Sequence, residues 1–161
     1  MAQRLMTLSV LMLMALVSVS AWAEKKSITY IVKMGPVFSR TVTNPGAQAG
    51  HELTQLVRQD TTSSSDQDWD GTVITNSSQS DLTAGSGTVA GYAVRAHKNG
   101  DQTFYKYQGK LVAVGDGPSR QTTGEGTVEL IGGTGKFANA SGIGTWSTAK
   151  GQSTIKLSLE Y

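Results

Sequence analysis

The sequence predicts an all-β protein built as a single closed antiparallel β-barrel of about eight strands. Within the C-terminal segment 152–161, residues 154–161 alternate strictly between polar and apolar positions, which is the period of a β-strand. The apolar positions of this segment are Ile155, Leu157, Leu159 and Tyr161. An Asn99-Gly100 pair separates two further strand-like segments and is a strong hairpin signal. The chain after residue 23 shows almost none of the spacing typical of an amphipathic helix.

The remaining strands follow from alternation and from turn residues. The hairpin strands are residues 87–97 and 103–114, and the first strand is residues 27–33. Further strands are predicted at residues 51–59, 71–75 and 125–131, with turns at 35–36 and 44–46 and a long polar loop at 61–68. Because strands occupy both ends of residues 24–161, we expect the first and last strands to pair and close the barrel.

The N-terminus has the pattern of a secretory signal peptide. Arg4 precedes an apolar run over residues 5–17, and Ala21 and Ala23 match the small-residue cleavage pattern. The sequence therefore predicts a signal peptide over residues 1–23 and one exported domain over residues 24–161, in the periplasm or outside the cell. The chain has no cysteine, so a hydrogen-bonded ladder and core must hold this domain.

The charge pattern argues against a nucleic-acid partner. The chain has 14 Lys and Arg against 12 Asp and Glu, and no basic cluster exceeds Lys25-Lys26. We expect no membrane span once the signal peptide is removed, and we expect no cofactor. The sequence leaves the oligomeric state open.

A glycine-rich stretch at residues 132–146, GGTGKFANASGIGTW, joins two predicted strands. Gly132, Gly133 and Gly135 predict a tight structural turn, because glycine adopts positive φ at little cost. The strand, the turn and the second glycine-rich strand together resemble the allene oxide cyclase and dirigent barrel superfamily. This resemblance implies a calycin-like or allene oxide cyclase-like barrel, but no catalytic residue is carried by the turn.

Several polar and aromatic residues of the predicted strands are candidate ligand contacts, and no residue is predicted to be catalytic. On a face that lines the barrel lumen they would form a binding cavity, whereas on the outer face they would be solvated. The sequence does not decide which face of each strand points into the lumen. The candidates are His51, Glu52, Arg58, Arg95, Tyr105 and Tyr107.

Asp66, Asp68 and Asp70 alternate before Gly71, as in the first half of a calcium-binding loop. The twelfth position, where such a loop has a bidentate glutamate, is Ser77. The three aspartates are therefore an incomplete calcium candidate, and an acidic turn is the favoured interpretation. No metal site is predicted.

Three classes of function fit the sequence. The favoured one is an exported, soluble, non-enzymatic protein that binds a small, mainly apolar molecule or acts as an accessory protein. The first alternative, implied by the resemblance, is a cyclase or stereochemical guide that acts on a small apolar substrate in the barrel. The second alternative is a small outer-membrane barrel. The sequence shows no continuous apolar band and no aromatic girdle, which argues against this alternative.

Overall fold

The computed structural model describes residues 25–46, 48–115 and 119–161 and shows an all-β protein. The predicted signal peptide at residues 1–23 lies outside the described residues. Within the described ranges, no helix has the length and apolar character needed to cross a membrane. The strands are β1 (Lys25–Lys33), β2 (Val37–Thr43), β3 (His51–Ser64), β4 (Val73–Thr83), β5 (Ser86–Ala96), β6 (Gln102–Val114), β7 (Gln121–Gly133), β8 (Ser141–Ala149) and β9 (Gln152–Glu160).

The nine strands form one antiparallel sheet that closes into a ring. Sequential strands pair from β2 through to β9, and β1 pairs with both β9 and β3. The predicted meeting of the first and last strands is therefore confirmed, and β9 is paired along both edges. Closure leaves the backbone groups of β9 with partners on each side, which an open sheet edge does not provide.

The ring has nine strands instead of about eight because β2 (Val37–Thr43), between the two predicted turns, was not predicted as a strand. Both β1 and β2 pair with β3, β2 along residues 53–58 and β1 along residues 61–64. The buried carboxylate of Asp60 accepts a hydrogen bond from the backbone N–H of Gly35 at 3.0 Å. This hydrogen bond holds the segment between β1 and β2 next to β3.

Alternation decides which side chains enter the ring. Ile155, Leu157 and Leu159 of β9 are buried, and Tyr161 packs against the same core. Their neighbours on β1, Ile28 and Tyr30, are also buried. The apolar stripe of the last strand therefore faces the core, as its sequence indicates.

The predicted hairpin is confirmed, since β5 and β6 flank the Asn99-Gly100 turn. The strand predictions for β3 and β4 were too short. Residues 61–64, predicted as loop, belong to β3, and β4 extends to Thr83 through a run of polar residues. The alternation signal fails here because the inner face of these two strands is itself polar.

The two ends of the ring differ. At one end lie the β3–β4, β5–β6 and β7–β8 connections together with the C-terminus, and we call this the plugged end. At the other end lie the breaks after β1 and β2 and the β4–β5, β6–β7 and β8–β9 connections, and we call this the mouth. This separation follows from the antiparallel strand order.

Candidate functional site

The inward faces of the strands enclose a cavity of about 420 Å³, which we call the ring cavity. Its β3–β4 wall is mainly polar, with Leu56, Ile74 and Leu82 among polar residues that include Thr54, Arg58, Asn76, Ser78 and Ser80. The wall opposite, from β5 to β9, is mainly apolar. It includes Val89, Ala93, Leu111, Val128, Trp146 and Ile155. A cavity with one polar and one apolar wall is suited to a ligand that is itself amphipathic.

Arg95 of β5 lies at the inner end of the ring cavity and is fully buried. Its guanidinium carbon stands 4.3 Å from the ring centre of Tyr30 and 4.7 Å from that of Trp69. Its Nη1 donates to Thr72 Oγ1 at 2.6 Å. No carboxylate among the described residues forms an ion pair with it, so aromatic faces and the hydroxyls of Thr62 and Thr72 are its main neighbours. Such an uncompensated buried charge is costly and marks a functional candidate.

Arg58 and Asp60 of β3 form a pair on the polar wall. Arg58 Nε donates to Asp60 Oδ2 at 2.9 Å, and the Asp60 side chain is fully buried while that of Arg58 is 18% exposed. Asp60 thus has its charge compensated, whereas the partly exposed Arg58 side chain lines the ring cavity. The pair places a positive group, not a negative one, on the cavity surface.

Two tyrosines of β6 project into the ring cavity from the side facing Arg58. The Tyr107 hydroxyl donates to Asn76 Oδ1 at 2.6 Å, and Thr103 Oγ1 donates to the Tyr105 hydroxyl at 3.0 Å. Burial raises the pKa of both tyrosines, so both stay protonated and neutral near neutral pH. They offer hydroxyl groups and ring faces to a ligand, but no charge.

A charged group spans the mouth. Arg120 Nη1 lies 3.1 and 2.9 Å from the two carboxylate oxygens of Glu52, and Arg40 Nη2 lies 3.7 Å from Glu52 Oε1. Thr54 donates to the same carboxylate at 2.8 Å. The hydrogen bond from Arg120 is the main cause that lowers the pKa of Glu52, so this carboxylate stays ionised and is unsuited to act as a general acid.

Aromatic side chains close the opposite end, and we call this group the aromatic plug. Trp69, from the β3–β4 connection, has no exposed surface and stacks on Tyr30 at 5.9 Å between ring centres. His97 stacks on Phe137 at 4.3 Å and lies edge-on to Trp69 at 5.2 Å. The plug separates the ring cavity from solvent at this end, so the mouth is its entrance.

The three aspartates considered for calcium secure the loop that carries Trp69. Asp66 lies 2.5 Å from Lys26 Nζ, Asp68 lies 2.6 Å from Lys136 Nζ, and Asp70 lies 3.9 Å from Lys98 Nζ. The three carboxylates thus pair with three lysines from different parts of the chain. Among the described residues, no group of three or more acidic or histidine side chains is placed to hold a metal ion.

The glycine-rich turn is part of the same closed end. Gly132 and Gly135 have positive φ, at 141° and 55°, while Gly133 does not. A Cβ on Gly133 would stand 2.7 Å from the Cβ of Phe137, so this position has no room for a side chain. The turn leads into a 3₁₀ segment, Gly135–Phe137, and this segment places the Phe137 side chain in the aromatic plug. Its role here is structural.

The structure brings five of the six predicted contact residues to the ring cavity. Glu52, Arg58, Arg95, Tyr105 and Tyr107 line it. His51 does not, because alternation places it on the outer face of β3, where its Nε2 lies 2.8 Å from Asp81 Oδ1. The sequence could not separate His51 from Glu52, since neither face of β3 is fully apolar.

Several residues of the site were missed by sequence reasoning. Trp69 of the aromatic plug directly follows the predicted polar loop at 61–68, and Arg40 and Arg120, which line the cavity, lie in or beside turn-rich segments. Trp146, noted only within the glycine-rich stretch, lines the cavity and donates through Nε1 to Gln108 O and Thr127 O at 3.2 Å each. No periodic signal predicts these positions, because ring closure alone brings them together.

The outer face also has a concave region, of about 1060 Å³, across β4 to β9. It is lined mainly by threonine, serine, glutamine and charged side chains such as Lys110 and Glu125. Because it is open and lies on the outward-facing side of the sheet, it lacks the enclosure of the ring cavity. We therefore place the candidate site inside the ring.

No known protein family and no curated protein matches the sequence. Among solved structures, the chain is similar to a protein of unknown function from Clostridium acetobutylicum, with 12% sequence identity and a TM-score of 0.47. The alignment covers 87% of this chain and 98% of that chain. With a TM-score this low, the similarity carries no argument about function.

Proposed function

We propose that this chain is an exported, soluble protein that binds one small molecule in the ring cavity and does not transform it. The observation that carries the proposal is a cavity of about 420 Å³ inside the ring, with the aromatic plug at one end and an opening at the other. This volume lies within the range of about 300–1,000 Å³ that is typical of small-molecule pockets. The ionised state of Glu52 supports binding over acid catalysis.

We further propose that the ring is a barrel of the allene oxide cyclase and dirigent type. The structural role of Gly133 and Gly135 and the pairing of the first and last strands support this relationship. Export is part of the same proposal. Since β1 begins at Lys25, cleavage after Ala23 would leave every described strand complete. Mass spectrometry of the exported protein should then find Glu24 at the N-terminus.

Solubility separates this proposal from an outer-membrane barrel. The outer face carries ion pairs such as Lys106–Glu129, with both side chains about half exposed, which a lipid-facing wall would disfavour. We expect residues 24–161 to purify and stay folded without detergent. A protein that requires detergent to remain dispersed would favour the membrane alternative.

The binding site can be tested with a cavity-filling pair on β4. Ser78 lines the ring cavity, whereas the adjacent Gln79 faces outward. We expect Ser78→Phe to abolish binding of small aromatic probes, measured by calorimetry, and Gln79→Phe to leave it unchanged. Equal binding by both variants would exclude the ring cavity as the site. Chemical analysis of the recovered probe distinguishes binding, in which it is unchanged, from the cyclase or guide alternative.

A further inference from the structure

The ring cavity is strongly positive compared with the whole chain. Four arginine side chains line it, and Glu52 is the acidic residue in its described lining. Asp60, beside the cavity, compensates one more positive charge. The lining arginines are Arg40, Arg58, Arg95 and Arg120. An excess of positive charge inside low-dielectric walls creates a potential that attracts an anion.

The inner part of this charge, that of Arg95, has no acidic partner among the described residues. Arg95 Nε and Nη2 are buried and make no hydrogen bond there, while Nη1 is taken by Thr72. Nε and Nη2 lie on the same edge of the planar guanidinium group, the edge that commonly binds a carboxylate through two parallel hydrogen bonds. Arg95 is therefore a buried positive charge that no acidic group of the described residues neutralises.

Arg58 supplies positive charge that a ligand can reach directly. Its Nε is held by Asp60, and its two terminal amino groups make no hydrogen bond with the described residues. The side chain is partly exposed and lines the ring cavity, so these amino groups face the space that a ligand would occupy. The Asp60 contact fixes the guanidinium and limits the entropy lost when a ligand binds.

The walls define the rest of the ligand. Tyr107 and Trp146 meet edge-on with ring centres 6.3 Å apart, and apolar side chains of β5, β7 and β9 continue this surface. The plug limits the depth of the cavity and its volume is modest, which favours a compact body over a long flexible chain. Flat rings pack well against such aromatic surfaces.

We propose that the ligand of the ring cavity is a compact aromatic carboxylate, whose anionic group binds the terminal amino groups of Arg58 under the added positive charge of Arg95. The aromatic body lies against the wall formed by Tyr107 and Trp146. This inference rests on the proposed function and specifies its ligand class. It distinguishes an anion site from a cavity that accepts any small apolar molecule.

Calorimetry with three matched probes tests the charge preference. The probes are 2-naphthoate, the neutral 2-naphthamide and the cation 2-naphthylmethylammonium, measured near neutral pH at low salt. We expect naphthoate to bind at least about tenfold more tightly than the amide, which corresponds to about 1.4 kcal/mol, and the cation to bind least. Equal binding of all three would overturn the anion inference and leave the proposed function standing. If none binds, both proposals fail.

Substitutions test the assigned arginines. We expect Arg58→Gln to reduce the naphthoate preference to about threefold or less, while Arg58→Lys retains part of it. Lys106→Gln removes the same charge from the outer face of β6 and should leave binding unchanged. Arg95→Met provides a second variant, since it leaves the Arg58–Asp60 pair intact, and it should weaken naphthoate more than naphthamide. The assignment would be contradicted if folded Arg95→Met and Arg58→Lys proteins kept the full preference for naphthoate over naphthamide. It would also be contradicted if Lys106→Gln lost this preference.

Discussion

The plugged end and the mouth use their side chains in opposite ways. At the plugged end, Trp69 and Phe137 have no exposed surface, and ion pairs from Asp66 and Asp68 fasten the loop that carries Trp69. The mouth has an ion-paired group centred on Glu52 and no comparable aromatic cluster in the described residues. We infer that the plugged end supplies much of the stability, and that the mouth leaves room for entry into the cavity.

The largest effect should come from removing the centre of the plug. Trp69 contacts four aromatic or histidine rings and the guanidinium of Arg95. We expect Trp69→Ala to lower the free energy of unfolding by about 3–5 kcal/mol, since a cavity replaces a fully buried side chain. Urea unfolding measures this loss. Tyr92→Ala, at a 63% exposed side chain, is the matched control and should change little. A loss below about 1 kcal/mol at Trp69 would refute a stabilising plug.

A pair of glycine substitutions compares backbone crowding at the two ends. Gly135 at the plugged end and Gly151 at the mouth both have positive φ, but only Gly135 has a neighbour, the Asp101 carboxylate, where a Cβ would stand. We expect Gly151→Ala to cost about 1 kcal/mol from the positive φ alone. Gly135→Ala should cost about 1–3 kcal/mol more from crowding. Equal melting temperatures would show that Asp101 moves aside freely.

The pH dependence of stability provides a third comparison. Burial is the main cause that lowers the pKa of His97 in the folded protein, with contributions in the same direction from Arg95 and Lys136, while Asp68 opposes them. The unfolded chain therefore binds a proton more readily than the folded chain below about pH 6.5. Stability from neutral His97 is complete above this pH and declines as the pH falls.

Melting temperatures between about pH 8 and pH 5 test this effect, above the range in which unfolded glutamate titrates. We expect His97→Gln to flatten the decline on the acid side. His51→Gln, at the outward-facing histidine, serves as the matched control. A decline that is unchanged in His97→Gln, or flattened equally by both substitutions, would show that the plug is not its source.

The smallest effect should come from the mouth. Arg120→Gln removes the two contacts to Glu52, but both side chains are about one-quarter exposed. We expect a loss of less than about 1 kcal/mol in the free energy of unfolding, because partly solvated ion pairs contribute little. A double-mutant cycle with Glu52→Gln isolates the pair. A coupling as large as the Trp69→Ala loss would remove the contrast between the two ends.

The sequence predicted the elements whose two faces differ in polarity. Residues 152–161 identify β9 and its buried face, and Asn99-Gly100 identifies the β5–β6 hairpin. It failed on β4, where Asn76, Ser78 and Ser80 are turned inward and interrupt the apolar alternation on which strand prediction depends. For the same reason, the polar end of β3 was predicted as loop.

By itself, the sequence determined the all-β class, the main hairpin and the strands at the two ends of residues 25–160, because local alternation and turn chemistry encode them. Only the tertiary structure decided which face of β3 is inside and that Arg95 is buried without an acidic partner among the described residues. It also decided that Trp69 plugs the ring and that three aspartates pair with three distant lysines. These features depend on contacts between residues far apart in the chain, which form only when the sheet closes.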